Sequence, residues 1–452
     1  MRTQRTTPNQ ILAAALGQAG LRRTQQAYLR LLLSLWLVLP GRHTFTNLAR
    51  YGSTSDRTHR SWAQKPVPWV QLNSTLVLQA QDQQTLHCGG ILGVDAVFIP
   101  KYGSHTPDLA SYWSGCQGRS VRGLEGTCVT WIDPATHQPI PLAITQTPAT
   151  LPAGQSRVDF YATVTLNTIM QLPDELKKQV RAVVGDAYYT KLKFIARVVD
   201  EGQLPFVGKM RKDANLKHLF TGSRTGKPGR PQLYDGKVSL HDFSRWDAIP
   251  WADECMVYTV VAYSISLKRQ VRVVAVVWPG SRSSRTEVLF STSITMTAAA
   301  IIALYRARFS MEFPFRDGKQ FAGLSECQSR QVEALHFHWN MALVAVSAAR
   351  LSQLRDQRAS PLVFSMEDEK RRAYNEFFAA RILSILTQEQ TKQKCEDLLT
   401  DLLSYVFRLI CYFWPPVKAG LGFHPVPLSF QPAALCGERF LKISQHPEMP
   451  VF

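Results

Sequence analysis

The sequence lacks the features that mark a zinc ribbon, a disulfide-stabilised secreted domain or a membrane protein. Its eight cysteines are scattered, and no two stand at a C-x-x-C spacing, which argues against a zinc ribbon and a disulfide framework and fits a reducing cytoplasm. The apolar run Leu31–Pro40 is too short for the roughly 20 residues of a membrane-spanning helix. It also follows a long polar stretch, unlike the core of a signal peptide. A buried helix and no membrane association are therefore expected.

Acidic residues are nearly absent from the first 80 residues. Asp56 stands there against ten lysines and arginines, and the whole chain has a net charge of +18. This balance favours a polyanionic partner, most commonly nucleic acid. Two short helices divided by a Gly-Ser pair, with Arg50, Arg57 and Arg60 exposed, would resemble a DNA-binding helix-turn-helix. A small helical bundle with a solvated basic face is the alternative interpretation.

The hydrophobic pattern changes along the chain from helical to mixed. Residues 10–80 predict short helices, and three strands of a meander follow from Leu86. A helix, a strand that ends at Asp186 and another strand near Phe194–Val199 come next. The basic, glycine-rich segment Lys209–Lys237 predicts a loop that could clamp the DNA backbone, or be merely solvated. Two apolar runs around a polar turn predict the hairpin Met256–Trp278, and the rest is predominantly helical.

One aspartate lies within a predicted strand and another lies at the end of one. Asp95 stands in the middle of an apolar strand, where an unpaired carboxylate costs several kcal/mol or takes up a proton. Asp186 follows a strand at its carboxyl end, where open sheets tend to bind ligands. Either aspartate alone is better explained by a turn cap or a salt bridge. Together with a third carboxylate they would repel one another unless a cation lay between them, and magnesium favours such oxygen ligands.

The segment "YRARFSMEFPFRDGK" supplies that third carboxylate. If it is helical, Tyr305, Arg308, Glu312 and Lys319 fall within a sector of about 60°. Glu312 could complete a metal site, while the arginine and the lysine could bind phosphate and the tyrosine could stack or form a hydrogen bond. A surface ion pair between Arg308 and Glu312, four residues apart, is the alternative.

These residues carry a resemblance to a known family. The spacing Y-(2)-R-(3)-E-(6)-K is met in full, and the chain resembles bacterial insertion-sequence transposases of the DDE class, in the group named for that helix. The segments "GVDAVFIPKYG" and "VVGDAYYTKLKF" resemble the family's two aspartate segments. The resemblance extends over most of residues 30–350.

The resemblance implies an α/β fold. It predicts a ribonuclease-H-like core, with a mixed five-stranded sheet and helices, that a β-rich insertion interrupts, and helical N- and C-terminal regions. The expected divisions are a basic DNA-binding region at 1–85, the first part of the core at 86–203, the insertion at 204–285, the second part of the core at 286–350, and a helical C-terminal region at 351–452 that could form a dimer contact.

The resemblance also implies a function, which is cut-and-paste transposition. The catalytic and metal-binding residues would be Asp95, Asp186 and Glu312, with two magnesium ions that manganese can replace. The expected partners are double-stranded DNA of the transposon ends and the target, and a second copy of the chain in a synaptic homodimer associated with the bacterial nucleoid. The expected DNA contacts come from Tyr305, Arg308, Lys319, Arg224, Lys227 and Arg230. A metal-dependent nuclease of the same fold and a non-catalytic DNA-binding remnant are the alternatives.

Four further residues have expected roles. Pro314 lies two residues after Glu312, so the helix is expected to kink at Ser310–Glu312 or to begin only near there. Trp278 is expected to be a core or hairpin residue rather than a base-holding aromatic. His336 and His338 are too close on their helix for joint metal ligation, so we expect them to be core or supporting residues.

Overall fold

A computed structural model describes residues 6–103, 105–114, 117–211, 213–222, 232–251, 254–280, 285–356 and 364–385, together with residue 397. The chain divides into two compact units, Met1–Tyr374 and Asn375–Phe452. The whole described sheet lies in the first unit. The divisions predicted at 203, 285 and 350 lie inside that unit and stay predictions.

The residues before the sheet form short helices, as predicted. The first begins with a capping box in which the Thr7 side chain accepts from Gln10 N and the Gln10 side chain accepts from Thr7 N. The third and fourth are divided by Gly52-Ser53, and Arg50, Arg57 and Arg60 are exposed. The helices are α1 (Pro8–Gln18), α2 (Arg23–Val38), α3 (Phe45–Tyr51), α4 (Asp56–Ala63) and α5 (Trp69–Asp82).

Five strands form the mixed part of the sheet in the order β4-β3-β1-β5-β6. Strand β3 pairs antiparallel with β1 and with β4, whereas β1, β5 and β6 run parallel. The short strand β2 pairs with the first residues of β3, and the sequence pattern did not predict it. The strands are β1 (Gly90–Pro100), β2 (Ala110–Ser114), β3 (Arg119–Asp133), β4 (Gln138–Gln146), β5 (Val180–Gly185) and β6 (Phe206–Lys209).

Helices connect the parallel strands. The predicted helix before β5 is divided near Pro173, where α6 (Arg157–Gln171) gives way to α7 (Asp174–Lys177). The strand predicted at Phe194–Val199 is wrong: α8 (Leu192–Ala196) and a π-helical turn (Arg197–Glu201) occupy this segment. Its apolar side chains include the fully buried Phe194 and Ile195, so an apolar run that looked like a strand is the buried face of a crossover helix.

The strands after residue 204 continue the same sheet. The sheet has 12 strands among the described residues, more than the predicted five, because β12 pairs with β6. The prediction of a loop over Lys209–Lys237 is also wrong in part, since three strands lie at or within its limits. The added strands are β7 (Leu216–Leu219), β8 (Tyr234–Lys237), β9 (Asp247–Ile249), β10 (Met256–Ser264), β11 (Arg269–Trp278) and β12 (Arg285–Ser291). The predicted hairpin is β10–β11, with Trp278 at its end.

The helix of the Y-R-E-K pattern is kinked, as Pro314 predicted. It consists of α9 (Ala298–Arg308), a 3-10 turn (Phe309–Met311) and α10 (Glu312–Gln320). The proline lies in the first turn of α10, where its missing N–H removes no hydrogen bond within that helix.

Two long helices follow, α11 (Val332–Asp356) and α12 (Met366–Ile385). Of the two histidines on α11, His338 is buried and bonded through Nε2 to Gly323 O at 2.8 Å, which confirms a core role for it. Within the described ranges, no helix is both long enough and apolar enough to cross a membrane.

Candidate active site

Asp95 and Asp186 lie side by side at neighbouring parallel strands. The register of β1 and β5 pairs Gly93 with Val184, and Asp186 follows the last residue of β5. The charge of Asp186 acts on the Asp95 carboxyl, so the two side chains are near one another. Adjacent strands are about 4.8 Å apart. The Asp186 carboxylate is fixed by its own turn, since Tyr188 N donates to Oδ1 at 2.8 Å. The structure therefore brings together the first two predicted acids.

Glu312 reaches the same face of the sheet from the kinked helix. Gly93 and Asp95 are two residues apart on β1 and share one face. A Cβ placed on Gly93 would lie 3.0 Å from Met311 Sδ, so the 3-10 turn packs directly on this strand. Met311 precedes Glu312, the exposed first residue of α10. Glu312, the third predicted acid, thus begins α10 above β1, the strand that carries Asp95.

The three carboxylates act on one another electrostatically. The pKa of Asp95 is raised from 3.8 to about 6, first because burial disfavours the charged form. Arg308 opposes this shift, with Nη1 at 3.6 Å from Asp95 Oδ2, while Asp186 and Glu312 add to it. The negative charge at this face is therefore only partly neutralised by the protein's own cations.

The four residues of the Y-R-E-K pattern do not share one exposed row. Tyr305 and Arg308 are buried, at 3% and 6% exposure, whereas Glu312 and Lys319 are exposed. The 3-10 turn shifts the helical phase between the two pairs. The predicted DNA contacts of Tyr305 and Arg308 stay predictions, and Arg308 in this structure forms an ion pair with Asp95.

The structure adds residues that the pattern did not predict. Arg316 lies on the exposed side of α10 together with Lys319 and stacks its guanidinium on the exposed ring of Phe313, 5.2 Å from the centroid. Tyr188 is 45% exposed beside Asp186, with Lys191 Nζ 4.0 Å above its ring. In both segments the available sequence signal was an aromatic residue three positions before a cationic one.

A fourth acid lies on the opposite face of β3. Cys128 pairs with Asp95, so Glu125, three residues away, faces the other side of the sheet. Its carboxylate accepts from Tyr161 Oη of α6 at 2.6 Å. Glu125 therefore belongs to the packing of α6 and not to the face of the three predicted acids.

The chemistry of these side chains suits a hard divalent cation. In the part of the chain that the structure describes, no group of three or more histidine, cysteine, aspartate or glutamate side chains stands ready to hold a metal ion. Magnesium usually takes only one or two protein carboxylates and completes its shell with water and substrate phosphate. The adjacent Asp95 and Asp186, with mutual repulsion that a cation would relieve, meet that need.

The other three predicted DNA contacts fall between β7 and β8 in the sequence. Arg224, Lys227 and Arg230 lie outside the described residues. On either side of them, Lys217 of β7 pairs with Lys237 of β8.

One family model and several solved structures match the chain. A family model described as "DDE superfamily endonuclease" matches residues 12–262, or 251 of the 452 residues. No curated protein matches the chain. Among solved structures, the chain is similar to piggyBac transposase in its synaptic complex with hairpin DNA. The identity is 12%, the TM-score is 0.40, and 88% of this chain and 87% of that chain are covered.

Proposed function

Because the chain belongs to the DDE superfamily endonuclease family, we propose that it is a DNA transposase. It would bind the inverted-repeat ends of a mobile element, hydrolyse the phosphodiester there and join the freed 3′-hydroxyl to target DNA. The adjacency of Asp95 and Asp186 on parallel strands, with Glu312 above the same face, carries this proposal.

The topology supports a ribonuclease-H-like core. An antiparallel meander is followed by two parallel strands, and helices α6 and α8 make the crossovers. The order β4-β3-β1-β5-β6 puts β1 at the centre, next to β5. Because β5 ends at Gly185, Asp186 follows directly at its carboxyl end, next to Asp95 in the middle of β1.

Each acid has a proposed task. Asp95 and Asp186 would hold divalent metal, and Glu312 would complete the site from the helix. The bound metal would activate the attacking water or hydroxyl and stabilise the leaving oxygen. Arg308 would keep the carboxylates together in the free protein by offsetting part of their repulsion. Lys319 and Arg316, exposed on the same helix, would contact DNA phosphates.

A strand-transfer assay tests the proposal. The substrate is a labelled duplex that carries the DNA flanking the gene, mixed with a plasmid target and magnesium. We expect 3′-end cleavage followed by a labelled joined product. Cleavage without joined product would instead indicate a metal-dependent nuclease of the same family. Neither product in the presence of DNA binding would indicate a non-catalytic remnant.

Metal binding is testable without catalysis. Titration of the DNA-free protein with magnesium is expected to raise its thermal midpoint, since a ligand that binds the folded state stabilises it. The rise should be lost in Asp95→Asn and in Asp186→Asn. An equal rise in these variants would place the metal elsewhere.

A further inference from the structure

A two-stranded ribbon extends beyond the main sheet and carries an exposed tryptophan. Pairing of β1 with β3 ends at Pro100 opposite Gly123, so beyond this point β3 keeps only β2. Trp113 on β2 is 65% exposed. The same ribbon also exposes arginines, and an aromatic side chain beside cations is a combination that nucleic-acid-binding surfaces use.

The other side of the ribbon is firmly anchored. Tyr112 is fully buried, and the guanidinium of Arg157 on α6 lies 4.5 Å from its ring centroid. Its hydroxyl lies 3.2 Å from Thr147 O, and Gln146 Nε2 donates to Pro107 O at 2.8 Å. The exposed side chains of the ribbon therefore stand on a fixed support.

Those exposed side chains share the face of the candidate active site. Trp113 pairs with Ser120, and Ser120 lies eight residues along β3 from Cys128, the partner of Asp95. An even number of steps preserves the face, and at about 3.4 Å a step the separation is about 27 Å. Arg122, also exposed, is on this face.

The charge and the width of the ribbon suit duplex DNA as its partner. Residues 110–124 contain Arg119 and Arg122 but no aspartate or glutamate, and both arginines are exposed. The major groove of B-DNA, about 12 Å wide, admits a two-stranded β-ribbon. Arginine supplies phosphate or guanine contacts there, and an indole packs against sugars and thymine methyl groups.

We propose that the described part of the β2–β3 ribbon enters a groove of duplex DNA, with Trp113 and Arg122 as its contact residues. At about 3.4 Å per base pair, the contact is centred about eight base pairs from the phosphodiester held at Asp95. The ribbon thus fixes how the duplex lies across the sheet. This inference rests on the proposed function, since it requires that DNA is the substrate.

The test measures binding to a fluorescein-labelled random-sequence duplex across a salt series. We expect Arg122→Gln to weaken binding several-fold and to reduce the slope of log affinity against log salt by about one. Trp113→Ser should weaken binding several-fold with little change of slope. The matched control is Arg181→Gln, which removes an exposed arginine where β5 begins, at the end of that strand remote from Asp186. It should leave affinity and slope near those of the wild type.

Four outcomes separate the possibilities. Wild-type protein that fails to bind any duplex would overturn the proposed function itself. Wild-type binding with all three variants alike would overturn only the ribbon. A loss in Trp113→Ser that is larger for a single-stranded probe than for the duplex would assign Trp113 to base stacking and reject the groove. Lost protection about eight base pairs from the cut in footprints of Arg122→Gln would support the proposal directly.

Discussion

Arg308 Nη1 lies 3.6 Å from Asp95 Oδ2, and this contact joins the kinked helix to the central strand. The arginine is buried, and its guanidinium also stacks on Phe309 at 4.7 Å from the ring centroid. Burial raises the pKa of Asp95, Arg308 lowers it, and the charges of Asp186 and Glu312 raise it. The free protein bears a charge imbalance, which a divalent cation would relieve.

Asp95→Asn should make the metal-free protein more stable while abolishing cleavage. Because the pKa of Asp95 is raised from 3.8 to about 6, folding favours its protonated form. The resulting penalty is absent below pH 3.8, grows between the two values and is complete above about pH 6. A shift of this size corresponds to on the order of 2–3 kcal/mol. Thermal unfolding with a chelator present should show the gain at pH 8 and none near pH 4. A loss of stability at pH 8 would mean that the Arg308 contact outweighs burial.

Glu312→Gln should abolish cleavage but leave DNA binding within a few-fold. The carboxylate is exposed at the start of α10, so its amide preserves shape and packing and removes only the charge that the proposed metal needs. We expect cleavage to fall by more than about 100-fold. Glu333→Gln is the matched control, an exposed glutamate in the first turn of α11. Normal cleavage by Glu312→Gln would remove Glu312 from the site.

The sequence predicts the parts of the fold in which local pattern and tertiary packing agree. The apolar run that contains Asp95 forms β1, the run that precedes Asp186 forms β5, and Pro314 marks the kink. These signals are local, because a proline restricts the backbone around it and an apolar run bounded by turn residues favours a buried strand.

The errors arise where distant partners decide the structure. The strand β2 has five residues and exists because it pairs with β3. The apolar segment Phe194–Val199 is helical because it packs as a crossover between parallel strands. Likewise, the inward turn of Arg308 depends on Asp95, 213 positions earlier, which no helical spacing encodes.

The ion pair of buried Asp317 with buried Arg350 should contribute far more to stability than its ion pair with the exposed Arg316. Arg350 Nη2 lies 3.3 Å from Asp317 Oδ2, with both side chains under 10% exposed, and joins α10 to α11. Arg350→Gln would leave a buried carboxylate without that partner, at a cost of about 3–5 kcal/mol. Arg316 is 53% exposed, so Arg316→Gln should cost less than about 1 kcal/mol. Chemical denaturation of both variants measures the difference. Equal losses would show that Arg316 alone suffices to neutralise Asp317.

Gly323→Ala should destabilise the loop between α10 and α11 far more than Gly20→Ala destabilises its turn. Both glycines have φ of +68°, a left-handed conformation that costs an alanine about 1–2 kcal/mol. Around Gly20 a new Cβ would meet nothing within 4 Å, whereas at Gly323 it would lie 2.5 Å from His43 Cβ, Cγ and Nδ1.

The His43 ring cannot move aside easily. Its backbone N and its Nδ1 contact Glu326 Oε2 at 2.7 and 2.9 Å, and its Nε2 lies 3.1 Å from Trp36 O. We therefore expect Gly323→Ala to cost several kcal/mol and Gly20→Ala about 1–2 kcal/mol, as measured by the shift in thermal midpoint. Similar shifts would show that the backbone conformation, and not the packing of His43 against the loop, limits both positions.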